Sequence, residues 1–244
     1  MKKTVKFLTA LCGFLAFSSQ ASYRSFTESH ITYGIFQAKP EEVRLHWRDS
    51  EGKNYRSITN LKRALEKNYQ VKMIMNGGIY SQNDVPAGLW IEKGKELNPL
   101  NTKRGSGNFH VQPNGVFALV GKHPYILTTK AYQQKKLKPT FALQSGPMLV
   151  INGKINPQFR PTLESYHKRN AVCLNKQNDL FFILTTSGKP NLYTFSQALQ
   201  KIGCHNALYL DGTISNWYIP NISSSFHWHY FVGMISVAAV KEKE

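Results

Sequence analysis

Ala207-Leu208-Tyr209-Leu210-Asp211-Gly212-Thr213-Ile214-Ser215 runs from a mostly apolar stretch straight into an aspartate, a glycine and small hydroxyl residues. It reads as a buried strand ending in a tight turn, with the carboxylate held at the strand's carboxyl end. A buried acid is costly unless it has partners, which makes Asp211 a functional-site candidate. The same grammar recurs in Met73-Ile74-Met75-Asn76-Gly77-Gly78 and in Phe141-Ala142-Leu143-Gln144-Ser145-Gly146-Pro147. Taken alone, either is an ordinary turn. Three in one small chain predict a single polar site assembled from several strand ends.

The elements around these stretches follow from period and punctuation. Thr194-x-x-Gln197 opens a helix with a capping box, Phe195, Ala198, Leu199 and Ile202 form its apolar face, and Gly203 ends it just ahead of the Asp211 strand. Leu149-Val150-Ile151, Asn152-Gly153 and Lys154-Ile155 make a hairpin with a two-residue primed turn. That hairpin sets Gln144-Ser145-Gly146 just ahead of a well-fixed strand. No Gly-x-Ser-x-Gly elbow flanks Ser145, so its hydroxyl suits ligand binding rather than nucleophilic attack. Arg169 leads into a strand at Asn170 to Leu174, with another at Leu180 to Thr186. An arginine there is either a surface ion pair or, near a polar site, a two-pronged clamp for phosphate or carboxylate.

Earlier in the chain, Ile31 to Phe36 and Val43 to Trp47 carry strand residues, and Asp49 to Gly52 turns toward a third at Tyr55 to Ile58. Leu61, Ala64, Leu65 and Asn68 then fall at helical spacing after a cap at Thr59 or Asn60. Pro86 to Lys95 reads as a hairpin, Asn98 to Asn114 as a polar loop over the site, and Gly115 to Val120 with Tyr125 to Thr129 as two short strands. A final strand spans Tyr230 to Val240. Helical patterns are too sparse for a doubly wound sheet. The expectation is one α+β domain over residues 22–244, a mixed, largely antiparallel sheet with a few flanking helices.

The first residues speak to compartment. Lys2, Lys3 and Lys6 precede the apolar run Phe7 to Phe17, and Ser19-Gln20-Ala21 supplies a small-x-small cleavage signal. This predicts a signal peptide over residues 1–21 and an exported, periplasmic or secreted protein. Its apolar core is too short for a permanent anchor, and no later stretch reads as an integral membrane span. The formal net charge of +17 becomes about +14 without the three leader lysines. That excess favours anionic partners such as phosphorylated glycans, or serves solubility alone. Nucleic acid is not expected, because the basic residues are scattered and no recognition motif appears. The mature chain keeps Cys173 and Cys204, which form a disulfide or stay as buried thiols. His227-Trp228-His229 places two histidines on one face of an extended strand, but no third ligand converges with them. Neither a metal site nor a cofactor is expected.

Together, Asn76-Gly77-Gly78-Ile79-Tyr80, Gln144-Ser145-Gly146-Pro147-Met148-Leu149 with Asn152-Gly153, Arg169-Asn170-Ala171-Val172, and Ala207 to Gly212 with Ser215 resemble the phosphodiester glycosidase family. The pieces span roughly residues 70 to 220. The family commonly carries a glycine-rich turn after the aspartate, where this chain has Thr213-Ile214. The resemblance implies hydrolysis of a sugar-1-phosphodiester at the anomeric carbon, acting on an envelope or exopolysaccharide glycan. On that reading Asp211 is the catalytic carboxylate and Arg169 the phosphate clamp. Asn76, Gly77, Gly78, Gln144, Ser145, Gly146, Gly212 and Ser215 bind substrate, and a second carboxylate is Glu164 or Asp84. A phosphate monoester is already a good leaving group, so charge stabilisation matters more than a strong general acid. The alternative is a non-catalytic phosphoglycan-binding protein on the same fold.

Overall fold

The computed structural model describes residues 22–81 and 83–242, so the expected signal peptide lies outside the described residues. In chain order the strands are β1 (Ser22–Glu28), β2 (Ile31–Ala38), β3 (Val43–His46), β4 (Tyr69–Asn76), β5 (Trp90–Glu92), β6 (Lys95–Asn98), β7 (Gly115–Val120) and β8 (His123–Thr128). They continue as β9 (Phe141–Ser145), β10 (Met148–Ile151), β11 (Lys154–Ile155), β12 (Asn170–Leu174), β13 (Leu180–Ser187), β14 (Asn206–Asp211), β15 (Trp217–Tyr218) and β16 (Met234–Val240). The helices are α1 (Ile58–Leu65), α2 (Thr129–Lys135) and α3 (Leu192–Ile202). This is the expected α+β class, divided into three sheets rather than one. Their strand orders are β1-β2-β13-β12-β14-β10-β11, β15-β4-β16-β3 and β6-β5-β9-β7-β8. Every named pairing in them is antiparallel.

The strand period of two explains how three sheets share one interior. Leu208 and Leu210 of β14, Phe182 of β13 and Val172 of β12 point to a common core with Met73 and Met75 of β4 and Phe117 and Leu143 of β7 and β9. The alternate residues Ala207, Tyr209, Ala171 and Ile183 point the other way and pack under α3 through Phe195, Ala198 and Leu199. Helix α1 covers the outer face of the second sheet, placing Ile58, Leu61 and Leu65 on Val71, Ile74 and Met234. Half-buried Tyr132 of α2 packs on the outer face of the third sheet beside Val116 and Ala142.

Local chemistry moved several boundaries. No strand forms at Tyr55 to Ile58: Ser57 Oγ accepts from Asn60 N (3.1 Å), capping α1, so Ile58 begins that helix's buried stripe. Asn191 rather than Thr194 caps α3, its side chain accepting from Thr194 N at 2.8 Å, while Gly203 ends the helix at φ +105° as expected. Helix α2 is too short to show a periodic signal and rests on Thr128 Oγ1, which accepts from Ala131 N (3.2 Å). The last strand begins at Met234, because Phe231 is drawn into a bridge with Arg56. Asn152 and Gly153, at φ +50° and +76°, make the expected primed turn. Cys173 of β12 and Cys204, just after α3, form a disulfide.

Candidate active site

Asp211 closes β14, and beside it the ladder with β12 slips by one residue. Ala171 pairs with Tyr209 and Asn170 with Asp211, leaving Leu210 as a bulge. A bulge re-aims the side chain beyond it and leaves a backbone group without a ladder partner. The Leu210 carbonyl recovers one from Ser145 Oγ (3.4 Å), which arrives at the end of β9 in the third sheet. From the second sheet, Asn76 at the end of β4 donates from Nδ2 to Asp211 Oδ2 (2.5 Å). The three polar strand ends thus meet where the three sheets meet.

The carboxylate is held on both oxygens, since Gly212 N donates to Asp211 Oδ1 at 2.6 Å. Asn76 is itself held: its Oδ1 accepts from Asn216 N (2.8 Å) and Asn170 Nδ2 (3.2 Å), and its carbonyl also accepts from Asn170 Nδ2 (2.8 Å). Asn170 Oδ1 in turn accepts from Ser215 Oγ (3.2 Å). Asn76, Asn170 and Ser215 are all buried, so this is a closed polar network with one chargeable member at its end. Burial pushes the Asp211 carboxyl up to about 6, opposed by the hydrogen bonds from Gly212 and Asn76. A carboxyl so poised exchanges a proton near neutrality.

Asp211 opens into a cavity of about 260 Å3 walled by Ile79, Asn108, His167, Tyr209, Gly212, Thr213 and Ile214. Tyr209 lies on the α3 side of β14, yet it lines the cavity. Burial raises the phenol to about 12, so it is a hydrogen-bond donor throughout the physiological range. Gly212 is glycine for the same reason: a Cβ there would stand 2.5 Å from Tyr209 Oη. Thr213 Oγ1 and His167 Nδ1, 3.0 Å apart, tie the turn after Asp211 to the loop before β12. Lys168 follows in that loop, donating to Asn216 Oδ1 at 3.2 Å, and burial lowers its pKa. Burial and then the positive charges of Arg169 and Lys189 lower that of His167. A half-buried tyrosine, Tyr80, has its pKa raised by burial and then by the charges of both Asp211 and Asp84. Asp84 Oδ2 accepts from Tyr230 Oη at 2.7 Å, whereas Glu164 is exposed.

Several expected ligand-binding residues have structural work. Arg169 does not present its guanidinium as a clamp: it is fully buried behind Tyr209. Its Nε donates to Pro190 O (2.9 Å), Nη1 to Tyr209 Oη (2.9 Å), and Nη2 to the carbonyl of Ser165. Gln144 is buried and locks the loop after β6, accepting from Leu89 N and Asn101 N and donating to Asn101 O (3.1, 2.8 and 2.7 Å). Gly146 lets chain segments touch, since a Cβ would lie 2.8 Å from Phe109 O. A Cβ on Gly77 would lie 2.6 Å from Ile235 Cδ1, and Gly78 sits at φ +82° in the turn. The 98–114 loop borders the cavity through Asn108, but Phe109 is buried and anchors it. His227 is engaged with Asn216 Nδ2 (2.7 Å) and Trp217 O (3.2 Å). Among the described residues no group of three metal-ligating side chains converges.

Sequence reasoning missed Asn170, Tyr209, His167 and Asn216. Asn170 carried a usable signal, a polar residue opening a fully apolar strand. Tyr209 carried none, because an aromatic within an apolar run reads as core.

With this geometry in view, comparisons with known proteins place the chain. The phosphodiester glycosidase family model matches residues 69–223, and the chain belongs to that family. It is 36% identical over 224 residues to the Escherichia coli K12 protein YigE, described as uncharacterised, across 91% of this chain and 87% of YigE. Its fold is similar to the catalytic domain of zebrafish N-acetylglucosamine-1-phosphodiester alpha-N-acetylglucosaminidase, auto-inhibited by its pro-peptide. That match has a TM-score of 0.63 at 14% identity and covers 92% of this chain and 83% of the zebrafish one. The fold also resembles that of a Burkholderia pseudomallei protein described as a putative exported protein, with a TM-score of 0.53 at 9% identity over 85% and 74% of the two chains.

Proposed function

We propose that this protein is an exported hydrolase that cleaves a sugar-1-phosphodiester at the anomeric carbon, acting on an envelope or exopolysaccharide glycan. Family membership supports the reaction class, and the observation that carries the assignment of the site is Asp211. Its carboxyl is pushed up to about 6, gripped on both oxygens and open to a sugar-sized cavity. In the reaction, water attacks the anomeric carbon and the bond from that carbon to the phosphate oxygen breaks. The proton lost by water passes to the Asp211 carboxylate, and the phosphate leaves as a monoester. A leaving group this stable needs little protonation. Tyr209, its oxygen already taking a hydrogen bond from Arg169, directs its own proton to an oxygen of the bound substrate. Arg169 is therefore a positioning residue acting through Tyr209. His167 lines the cavity as a neutral imidazole, available to hydrogen-bond the departing phosphate, and the Lys168 ammonium follows it in the same loop. Of the two candidates for a second carboxylate, Asp84 is favoured, because its charge and that of Asp211 both bear on Tyr80, whereas Glu164 is exposed. A disulfide and the likeness to an exported protein support a periplasmic or secreted location.

The test is release of free reducing sugar from a panel of sugar-1-phosphodiesters by the mature protein. Asp211→Asn should abolish release by roughly a thousandfold or more while the circular dichroism spectrum stays native. With the wild type, kcat/KM should climb as pH rises through about 6, because the base must be ionised to accept a proton. No release across the panel, with saturable and unaltered ligand, would instead favour the non-catalytic binding protein.

A further inference from the structure

Two exposed aromatic side chains in the loop between β15 and β16 are not used by the reaction. Trp228 is 91% and Phe226 60% exposed, and their rings pack edge to face with centroids 5.2 Å apart. Two large aromatic rings exposed side by side make a contiguous apolar patch, the kind of surface that contacts a ligand. The loop carrying them, between β15 and β16, is anchored on both sides of its apex. On one side His227 is held by Asn216, whose backbone N–H donates to Asn76, the residue that grips Asp211. On the other, Tyr230 donates to Asp84, and both carboxylates act on Tyr80. The apex is therefore tied by hydrogen bonds to the residues that hold Asp211, with its two rings exposed. Polar residues interleave with the rings in Ser223-Ser224-Ser225-Phe226-His227-Trp228-His229, a pattern suited to a ligand with both apolar and hydroxyl faces. A pyranose is such a ligand. Its axial C–H bonds suit the electron-rich face of an indole, and its hydroxyls suit the neighbouring imidazole of His229, the ring nitrogens of His227 being engaged already.

We propose that Trp228, braced edge to face by Phe226, forms a stacking platform for a pyranose ring of an oligosaccharide, outside the Asp211 pocket and joined to it through His227, Asn216 and Asn76. The inference rests on the glycosidase reading for the chemical class of its ligand. It adds that the substrate is longer than the sugar undergoing cleavage, because a platform beyond the pocket is of use only to a chain of sugars.

Calorimetric titration of the mature protein with maltopentaose and with chitopentaose, two neutral pentasaccharides, tests it. At least one should bind saturably at millimolar concentration or below; Trp228→Ala should weaken that binding about tenfold or more, and Trp228→Phe should restore much of it. Trp228 is almost fully exposed, so its replacement leaves the fold intact, and the circular dichroism spectrum checks this. Equal affinity in Trp228→Ala and wild type would overturn the platform, as would absence of binding to both pentasaccharides. A surface for lipid would show itself as sedimentation with phosphatidylglycerol vesicles, lost in Trp228→Ala, with no pentasaccharide binding, and that too overturns the proposal. Sugar release is read separately on wild type and Asp211→Asn. Pentasaccharide binding that depends on Trp228 in a protein releasing no sugar keeps the platform and removes the hydrolase. Sugar release with binding indifferent to Trp228 does the reverse.

Discussion

Asp211 is a carboxyl that folding prefers protonated, the reverse of an aspartate stabilised by an ion pair. Its pKa rises from 3.8 to about 6 on folding, so below pH 4 its burial costs little. As pH climbs through 6 the ionised form must be accommodated, and about 3 kcal/mol of stability is lost by this one group. Urea unfolding of wild type and Asp211→Asn between pH 4 and 8 measures it: the stability of the variant relative to wild type should improve by roughly that amount as pH rises. A pH-independent difference would contradict the assignment. Beside it, Arg169 and Tyr209 link structure to chemistry. Arg169→Lys strands carbonyls of Pro190 and Ser165 that the guanidinium now serves, and should cost about 1–3 kcal/mol in urea unfolding. Tyr209→Phe keeps the ring packed but removes the oxygen that accepts from Arg169, and should lower kcat by about 10- to 100-fold and cost about 1–3 kcal/mol in urea unfolding. Asp211 and Asn76 were visible as polar residues ending apolar runs. The direction of Arg169 was not, because a guanidinium beside a site in sequence faces the core or the cavity according to the strand's face.

The strand ends carry the site, and the bulge at Leu210 is what turns them into one. It places Asp211 opposite Asn170 and frees a carbonyl that Ser145 satisfies. Ser145 therefore serves the junction between β9 and β14, and Gly146 the close approach of the chain to Phe109 and Asn114. Gly146→Ala drives a Cβ to 2.7 Å from Asn114 Cβ and 2.8 Å from Phe109 O, a backbone atom that cannot swing away. It should destabilise the protein by about 1–3 kcal/mol, measured by urea unfolding, and disturb the anchor of the 98–114 loop. The hairpin at Asn152-Gly153 and the end of α3 at Gly203 were legible because positive φ selects its residues locally. The start of α1 was less so, since Ser57, Thr59 and Asn60 are all competent caps and only the packing of Ile58 against Val71 and Ile74 selects among them.

Three sheets around one core make the arrangement rigid, and the disulfide fastens its largest sheet. Cys173 lies within β12, and Cys204 lies 31 residues on, between α3 and β14. Replacing both by alanine releases a loop of that length in the unfolded chain and should cost about 3–4 kcal/mol in urea unfolding, an effect that reductant on the wild type reproduces. Strand content, the sparse helices and the polar strand ends were decided by local chemistry: alternation, turn glycines and caps act within a few residues and are written in the sequence. Which strands share a sheet, the division into three sheets, the joining of two cysteines and the inward turn of Arg169 were decided by tertiary structure alone. Each depends on contacts between residues far apart in the chain, where a one-residue bulge suffices to turn a side chain from one face of a sheet to the other.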